Sequence, residues 1–250
     1  MTTFKPPTEW TPPDVFPTEL LVNAKEVAID TETRDPNLKE KGPGYIRGDG
    51  EIVGISFACD GFEGYFPFAH ESGFNFPKNK VISFAKKVCA SNSDKIFHNA
   101  SYDMGWLGSE GIKVNGRIID TMVVAPLIDE NQYWYTLNAL GREYVNEGKT
   151  EAELNAAAEE WGLDPKAEMW RLPSAYVGTY ATQDAALTLK LWNHFKTLIE
   201  EQNLWNIFDL EMEVLPVLYE MKKKGVRVDA ERAETIKRQL IKQEKELLLE

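Results

Sequence analysis

Four acidic side chains interrupt apolar runs that would otherwise read as core, and they do so in three short motifs. VAIDTET (27–33) carries Asp30 and Glu32, IFHNASYD (96–103) carries Asn99 and Asp103, and YATQD (180–184) carries Tyr180 and Asp184. A carboxylate at the end of a buried element is costly unless a partner compensates it. Four that converge repel one another unless divalent cations lie between them, the arrangement of a two-metal phosphodiester-cleaving site. These motifs require a fold that brings three distant segments to one place.

The chain is long enough for one core with an appendage: 250 residues, 43% hydrophobic. No run approaches the length of a transmembrane span, and the opening MTTFKPPTEWTPP lacks the apolar centre of a signal peptide. Cys59 and Cys89 have no metal-ligand spacing and are expected to be reduced and buried. The cytoplasm is the default compartment. The net charge of −12 argues against a protein that wraps duplex DNA. It is compatible with a carboxylate site that grips a few nucleotides through a local basic patch.

Residues 1–20 are proline-rich and are expected to form an extended lead-in. Val27–Ile29 begin a buried strand that ends in Asp30. Residues 34–51 are rich in Gly, Pro and charge and read as a loop. The runs 52–60 and 64–68 form a hairpin pair by their β-branched and aromatic content. Residues 81–91 have helical spacing, 95–99 form a short strand feeding a helix from Ser101, and 121–129 form another helix. A helical insert over 141–173 contains ELNAAAEEWG, stopped at Gly162. A long helix follows from Ser174 to about Gln202, then one from Trp205 to Lys224, then VRVD and a charged helix running to the chain end. This order is α/β with a helical tail. The last helix is expected to continue into further sequence.

Each motif taken alone has a plain structural reading. Asp30 and Glu32, two apart on a strand, face the same side and can reach one cation, or they are exposed acids of a strand-end turn. Asn99 or Ser101 caps a helix with Asp103 decorating its first turn, or Asp103 is a ligand. Tyr180 and Asp184 share a helix face beside an apolar stripe of Val177, Ala181, Ala185 and Leu189. They either hydrogen-bond each other or serve a metal and a water.

Together, D-T-E on an early strand, N-x-x-x-D after a middle strand and Y-x-x-x-D on a late helix resemble the motifs of the four-carboxylate (DEDD) 3′–5′ exonucleases, tyrosine subclass. FDLEMEVLPVLYEMKKKGVRVDAERAE (208–234) is similar to the opening of the polymerase region of family A DNA polymerases. The resemblance implies a ribonuclease H-like mixed sheet flanked by helices, with an exonuclease domain over 21–203 and a truncated, helical start of a polymerase region over 204–250. It implies a proofreading module that releases nucleoside monophosphates from single-stranded or frayed DNA 3′ ends. No 5′-nuclease domain precedes it, so a short, phage-type polymerase acting in the host cytoplasm is one expectation.

By the same resemblance, two divalent ions, Mg²⁺ or Mn²⁺, are held by Asp30, Glu32, Asp103 and Asp184. Asp30 bridges both, and Tyr180 orients the attacking hydroxide with Glu32. Thr33, Leu38, His98, Asn99 and Tyr102 match positions near the terminal nucleotides, with Leu38 as apolar wedge and Tyr102 as a stacking ring. A ribonuclease D-like exoribonuclease and a non-catalytic DNA-holding module remain alternatives. Lys39, Lys41 and Arg47 form the one basic cluster in the loop after the first motif, for phosphate contact or for solvent. GKT (148–150) lacks P-loop spacing. His70 and His194 are expected in solvated or core roles.

Overall fold

Strand β1 (Glu26–Arg34) is flanked on both sides in the sheet, which explains why Val27, Ala28 and Ile29 are fully buried. The computed structural model describes residues 8–249. A five-stranded sheet has the order β3-β2-β1-β4-β5. In it, β2 (Glu51–Cys59) and β3 (Phe62–Pro67) form an antiparallel hairpin on one side of β1, and β4 (Asp94–Phe97) and β5 (Ile118–Asp120) run parallel on the other. This is the mixed sheet flanked by helices that the motifs imply.

Before the sheet comes the short helix α1 (Thr18–Asn23). The lead-in therefore becomes helical at Thr18 rather than continuing to 20, and its first seven residues lie outside the described part. The loop over 34–51 is also more ordered than its composition suggests. It holds a four-residue helix, α2 (Leu38–Lys41), and a 3-10 turn at Gly44–Ile46. Asp35 organises it, because its Oδ2 accepts from Gly44 N at 3.0 Å.

The helices follow the apolar spacing closely. They are α3 (Lys78–Cys89), α4 (Ala100–Ser109), α5 (Thr121–Ile128), α6 (Leu137–Val145), α7 (Ala152–Trp161) and α8 (Ser174–Glu201). Gly162 ends α7 in the left-handed conformation, which a residue without Cβ adopts without strain. Cys59 and Cys89 are both buried and unpaired. His70 is a core residue: Tyr65 Oη lies 2.8 Å from its Nε2, and its Nδ1 lies 2.9 Å from Leu172 O.

Helix α8 lies against β1, β2 and β3. Its Ala185, Leu187, Leu191 and Phe195 share a buried cluster with Ala28 of β1, Ile96 of β4 and Ile119 of β5. Side chains alternate along a strand, so Asp30 and Glu32 point to the same face as Ala28, toward α8. The next helix, α9 (Trp205–Lys224), adds Phe208, whose ring stacks on Trp192 at 5.3 Å and lies under the Arg117 guanidinium.

Two compact units divide inside α9, the first running through Val217 and the second beginning at Leu218. Phe208, Met212 and Leu215 of α9 are buried in the first unit. The second contains α10 (Ala230–Leu247), capped by Asp229, whose side chain accepts from Arg232 N at 3.0 Å. Ile236, Leu240 and Ile241 form its apolar stripe. Among the described residues, no helix is long and apolar enough to cross a membrane.

Candidate active site

The first motif lies within β1, not at its end. Pairing with β2 carries the strand past Asp30 to Arg34, with a register shift between Glu32 and Thr33. Bulges of this kind re-aim side chains next to functional sites. Glu32 stands opposite Gly54 of β2. A Cβ at Gly54 would lie 2.2 Å from Tyr65 Oη, so only glycine lets that buried ring pack there.

Among the described residues, oxygen ligands of Asp30, Glu32 and Asp184 converge within 4.8 Å of one another. Asp103 is not one of these three; its carboxyl is held instead against the backbone between the first two. Its Oδ1 accepts from Thr31 N at 2.9 Å and from Thr31 Oγ1 at 2.6 Å. Thr31 points away from Asp30 and Glu32 along the strand, so this bond locks α4 against β1. The Asp103 carboxyl is raised well above the ordinary range by burial, then by the Asp30 charge, against the Thr31 bonds.

The N-terminus of α4 is held differently from the expectation. Asn99 makes no side-chain cap hydrogen bond; it is exposed and adopts a left-handed φ of 75°, a conformation asparagine tolerates. Asp120, at the end of β5, does the capping from outside the helix. It accepts from Asn99 N at 2.9 Å and Ala100 N at 2.7 Å, and from Met122 N of its own helix at 3.0 Å. One carboxylate thus anchors the starts of two helices.

On α8, Tyr180 and Asp184 do not close only on each other. The Lys149 ammonium, from the loop between α6 and α7, lies 2.5 Å from Asp184 Oδ2 and 3.1 Å from Tyr180 Oη. Lys149 is the residue the motif reading missed. GKT attracts notice only as a failed phosphate loop, and nothing periodic links position 149 to position 184. The one sequence signal is a lone lysine between Gly148 and Thr150 in an acidic segment.

Burial shapes the charges here. Asp30 is pushed up to about 7, first by burial and then by Asp184, against the pull of Lys149. Glu32 is raised well above the ordinary range, first by burial and then by Asp30 and Asp184. Asp184 is raised by burial and held back by Lys149. Burial opposes the Lys149 charge, but Asp184, Asp30 and Glu32 outweigh it and hold its pKa above the ordinary lysine range. Tyr180 is raised well above the usual phenol range by burial, then by Asp184 and Glu32. Burial, then Lys149, lowers His98 to about 4, so it is neutral at pH 7.

A carboxyl with a raised folded pKa keeps a proton that the unfolded chain has released. For Asp30 that interval runs from 3.8 to about 7. Stability of the metal-free protein therefore falls as pH rises through it. We expect metal-free protein to lose on the order of 2 kcal/mol between pH 5 and pH 8, after discounting for the partial exposure of Asp30. That corresponds to about 5 °C in Tm. Mn²⁺ should remove the difference. Calorimetric melting with EDTA and with Mn²⁺ measures both, and a metal-free Tm that climbs from pH 5 to pH 8 would contradict a site of mutually repelling carboxyls.

The expected nucleotide contacts separate into two sets. Thr33, Leu38 and Tyr102 line one cavity of about 610 Å³, with Lys39 and Lys166 also at its wall. Tyr102 is fixed by its hydroxyl, 2.7 Å from Thr33 Oγ1 and 3.3 Å from Asp35 Oδ2. His98 is tied inward: its Nδ1 lies 2.9 Å from Thr121 Oγ1, whose hydroxyl donates to Phe97 O. The basic loop cluster does not act as a unit. The Arg47 guanidinium donates to Lys41 O at 2.6 Å and Gly42 O at 2.9 Å and pairs with Asp49, so it clasps its own loop.

The mixed sheet flanked by helices is of the ribonuclease H-like type, and an acidic cluster lies between its central strand and α8. The family model described as "3'-5' exonuclease", that of the family A DNA polymerases, matches residues 18–200. The chain belongs to this 3′–5′ exonuclease family. A DNA-directed DNA polymerase of Pseudomonas phage M6 is 38% identical over 245 residues, covering 96% of this chain and 37% of that protein. The POL domain of Pol1 from M. smegmatis, in complex with DNA primer-template and dNTP, superposes with TM-score 0.66 at 15% identity. That match covers 95% of this chain and 35% of the other. Brucella melitensis NrnC with bound Mg²⁺ gives TM-score 0.59 at 17% identity, covering 86% and 94%. The chain thus spans about a third of the length of its polymerase relatives.

Proposed function

We propose that this exonuclease removes nucleoside monophosphates from single-stranded or frayed DNA 3′ ends, as the proofreading module of a family A polymerase. Asp30, Glu32, Asp103 and Asp184 would hold two divalent ions, Mg²⁺ or Mn²⁺. The observation that carries this reading is a pair of buried oxygens. Glu32 Oε1 and Asp184 Oδ1 have no hydrogen-bond partner, yet they belong to the converging carboxylates. Buried acceptors without partners are expensive, and an all-oxygen donor set suits Mg²⁺ and Mn²⁺.

Such ions, when bound, lower the pKa of a water and offset charge on the departing 3′-oxygen. The chain's own residues do the rest. Tyr180 keeps its proton at neutral pH, because its pKa is raised. It therefore orients the attacking water by hydrogen bonding, together with Glu32, and does not act as a general base. Thr33 and Asp35 pin Tyr102, leaving its ring as a fixed stacking surface worth about 1–3 kcal/mol per base. Leu38 lies across the same cavity as the apolar wedge. Asn99 would contact the terminal nucleotide, a reading supported by its exposed side chain, which makes no cap hydrogen bond. His98, next to Asn99 in the chain, has its Nδ1 held 2.9 Å from Thr121 Oγ1.

Residues from 204 onward would begin the polymerase region, and the reaction would take place in the cytoplasm, in a phage-infected host if the gene is viral. The test is nucleotide release from matched DNA and RNA oligonucleotides of one sequence, with Mn²⁺ and with EDTA. We expect metal-dependent release and a DNA preference of at least about tenfold, or 1.4 kcal/mol in the transition state. Equal or faster degradation of RNA would favour the ribonuclease D-like alternative. Release with EDTA would defeat the metal assignment.

A further inference from the structure

Lys149 is placed with more care than a surface counter-charge needs. Gln183, the residue before Asp184, clasps the loop from both sides: its Nε2 donates to Gly148 O at 2.9 Å and its Oε1 accepts from Thr150 N at 2.5 Å. Asn138 of α6 adds a third tie, accepting from Lys149 N at 2.9 Å. The lysine side chain is 13% exposed and its partner Asp184 5%. Its ammonium also sits 4.8 Å from the centroid of the Tyr180 ring. The segment carrying the lysine is therefore indexed to the helix that carries Asp184.

The ammonium occupies Asp184 Oδ2, while Asp184 Oδ1 stays unpartnered. One carboxylate thus faces a resident monovalent cation and a vacant acceptor. A divalent ion approaching Asp184 meets a like charge at hydrogen-bonding distance from the same carboxyl, and in a buried site that repulsion is poorly screened. The charge balance points the same way. Two divalent ions match four carboxylates and leave the Lys149 charge over, and a phosphodiester brings one negative charge.

We propose that Lys149 is a displaceable counter-ion of the carboxylate site, holding Asp184 and Tyr180 in register without metal and yielding Asp184 to the divalent ion. Its released ammonium then contacts a non-bridging oxygen of the scissile phosphate, which makes it a further catalytic residue. This rests on the exonuclease reading above and adds a group that the three motifs do not contain.

The experiment is Mn²⁺ binding to the full chain without DNA, by calorimetry, followed by single-turnover nucleotide release from single-stranded DNA at saturating Mn²⁺. Lys149→Met is expected to bind its first Mn²⁺ roughly tenfold tighter than wild type, because the competing charge is gone. It should release nucleotide at least about tenfold more slowly, because the phosphate contact is lost. Gln183→Ala leaves every charged group in place and only frees the loop. It should tighten Mn²⁺ binding about threefold, and it carries the first measurement if Lys149→Met does not fold. Unchanged or weaker Mn²⁺ binding overturns the counter-ion role, and undiminished release overturns the phosphate contact. A wild-type chain that binds no Mn²⁺ defeats the exonuclease reading instead.

Discussion

Asp30→Ala is expected to abolish metal-dependent release of 3′ nucleotides, a loss of at least about 10³-fold, while the chain folds as stably as before or more so. Both halves follow from the position of Asp30. It sits in the central strand, on the same face as Glu32, and is one of the three carboxylates within 4.8 Å of one another. Removing it takes away the ligand proposed to bridge both ions. The strand itself does not need the side chain. The bond from Ser56 Oγ goes to the Asp30 carbonyl, which alanine keeps. Deleting the carboxyl also relieves Glu32, whose pKa is raised first by burial and then by Asp30. Thermal melting in EDTA together with product analysis in Mn²⁺ tests both halves. An Asp30→Ala protein that stays fully active, with contaminating nuclease excluded, would end the carboxylate assignment.

Asp120→Ala has the second-largest expected effect, and it acts through structure. The Asp120 side chain accepts three backbone N–H groups and is 2% exposed. Losing a cap costs about 1 kcal/mol, and buried donors left without a charged acceptor add more, for a total of about 3 kcal/mol. In a chain of this size that lowers Tm by about 10 °C. The freed N-terminus of α4 carries Asp103 in its first turn, so activity should also fall, by roughly tenfold even below the melting range. Asp120→Asn, whose amide oxygen can still accept from both Asn99 N and Met122 N, should recover part of both losses. A Tm for Asp120→Ala within a degree of wild type would show that solvent replaces the cap.

Much of this arrangement was legible in the amino-acid order. Strand period two places Asp30 and Glu32 on one face, and helix spacing places Tyr180 beside Asp184; the structure shows both. The helix from Ser174 and the helix from Trp205 run nearly as their apolar stripes predict. The misses share a cause. The strand passes Asp30 because β2 supplies hydrogen bonds as far as Arg34, which no local signal announces. The cap of α4 comes from Asp120, about twenty positions later, where a local reading chose Asn99 or Ser101. Arg47, grouped with Lys39 and Lys41 by charge alone, is consumed by carbonyls of its own loop.

The sequence by itself determined which side chains share a face of one strand or one helix, because those spacings follow from the backbone geometry of a single element. Only the tertiary structure decided that β1 and α8 meet with their acids inward and that Lys149 enters between Asp184 and Tyr180. Contacts across elements depend on how whole layers pack and on which loops are tied where, and no repeat in the chain encodes them.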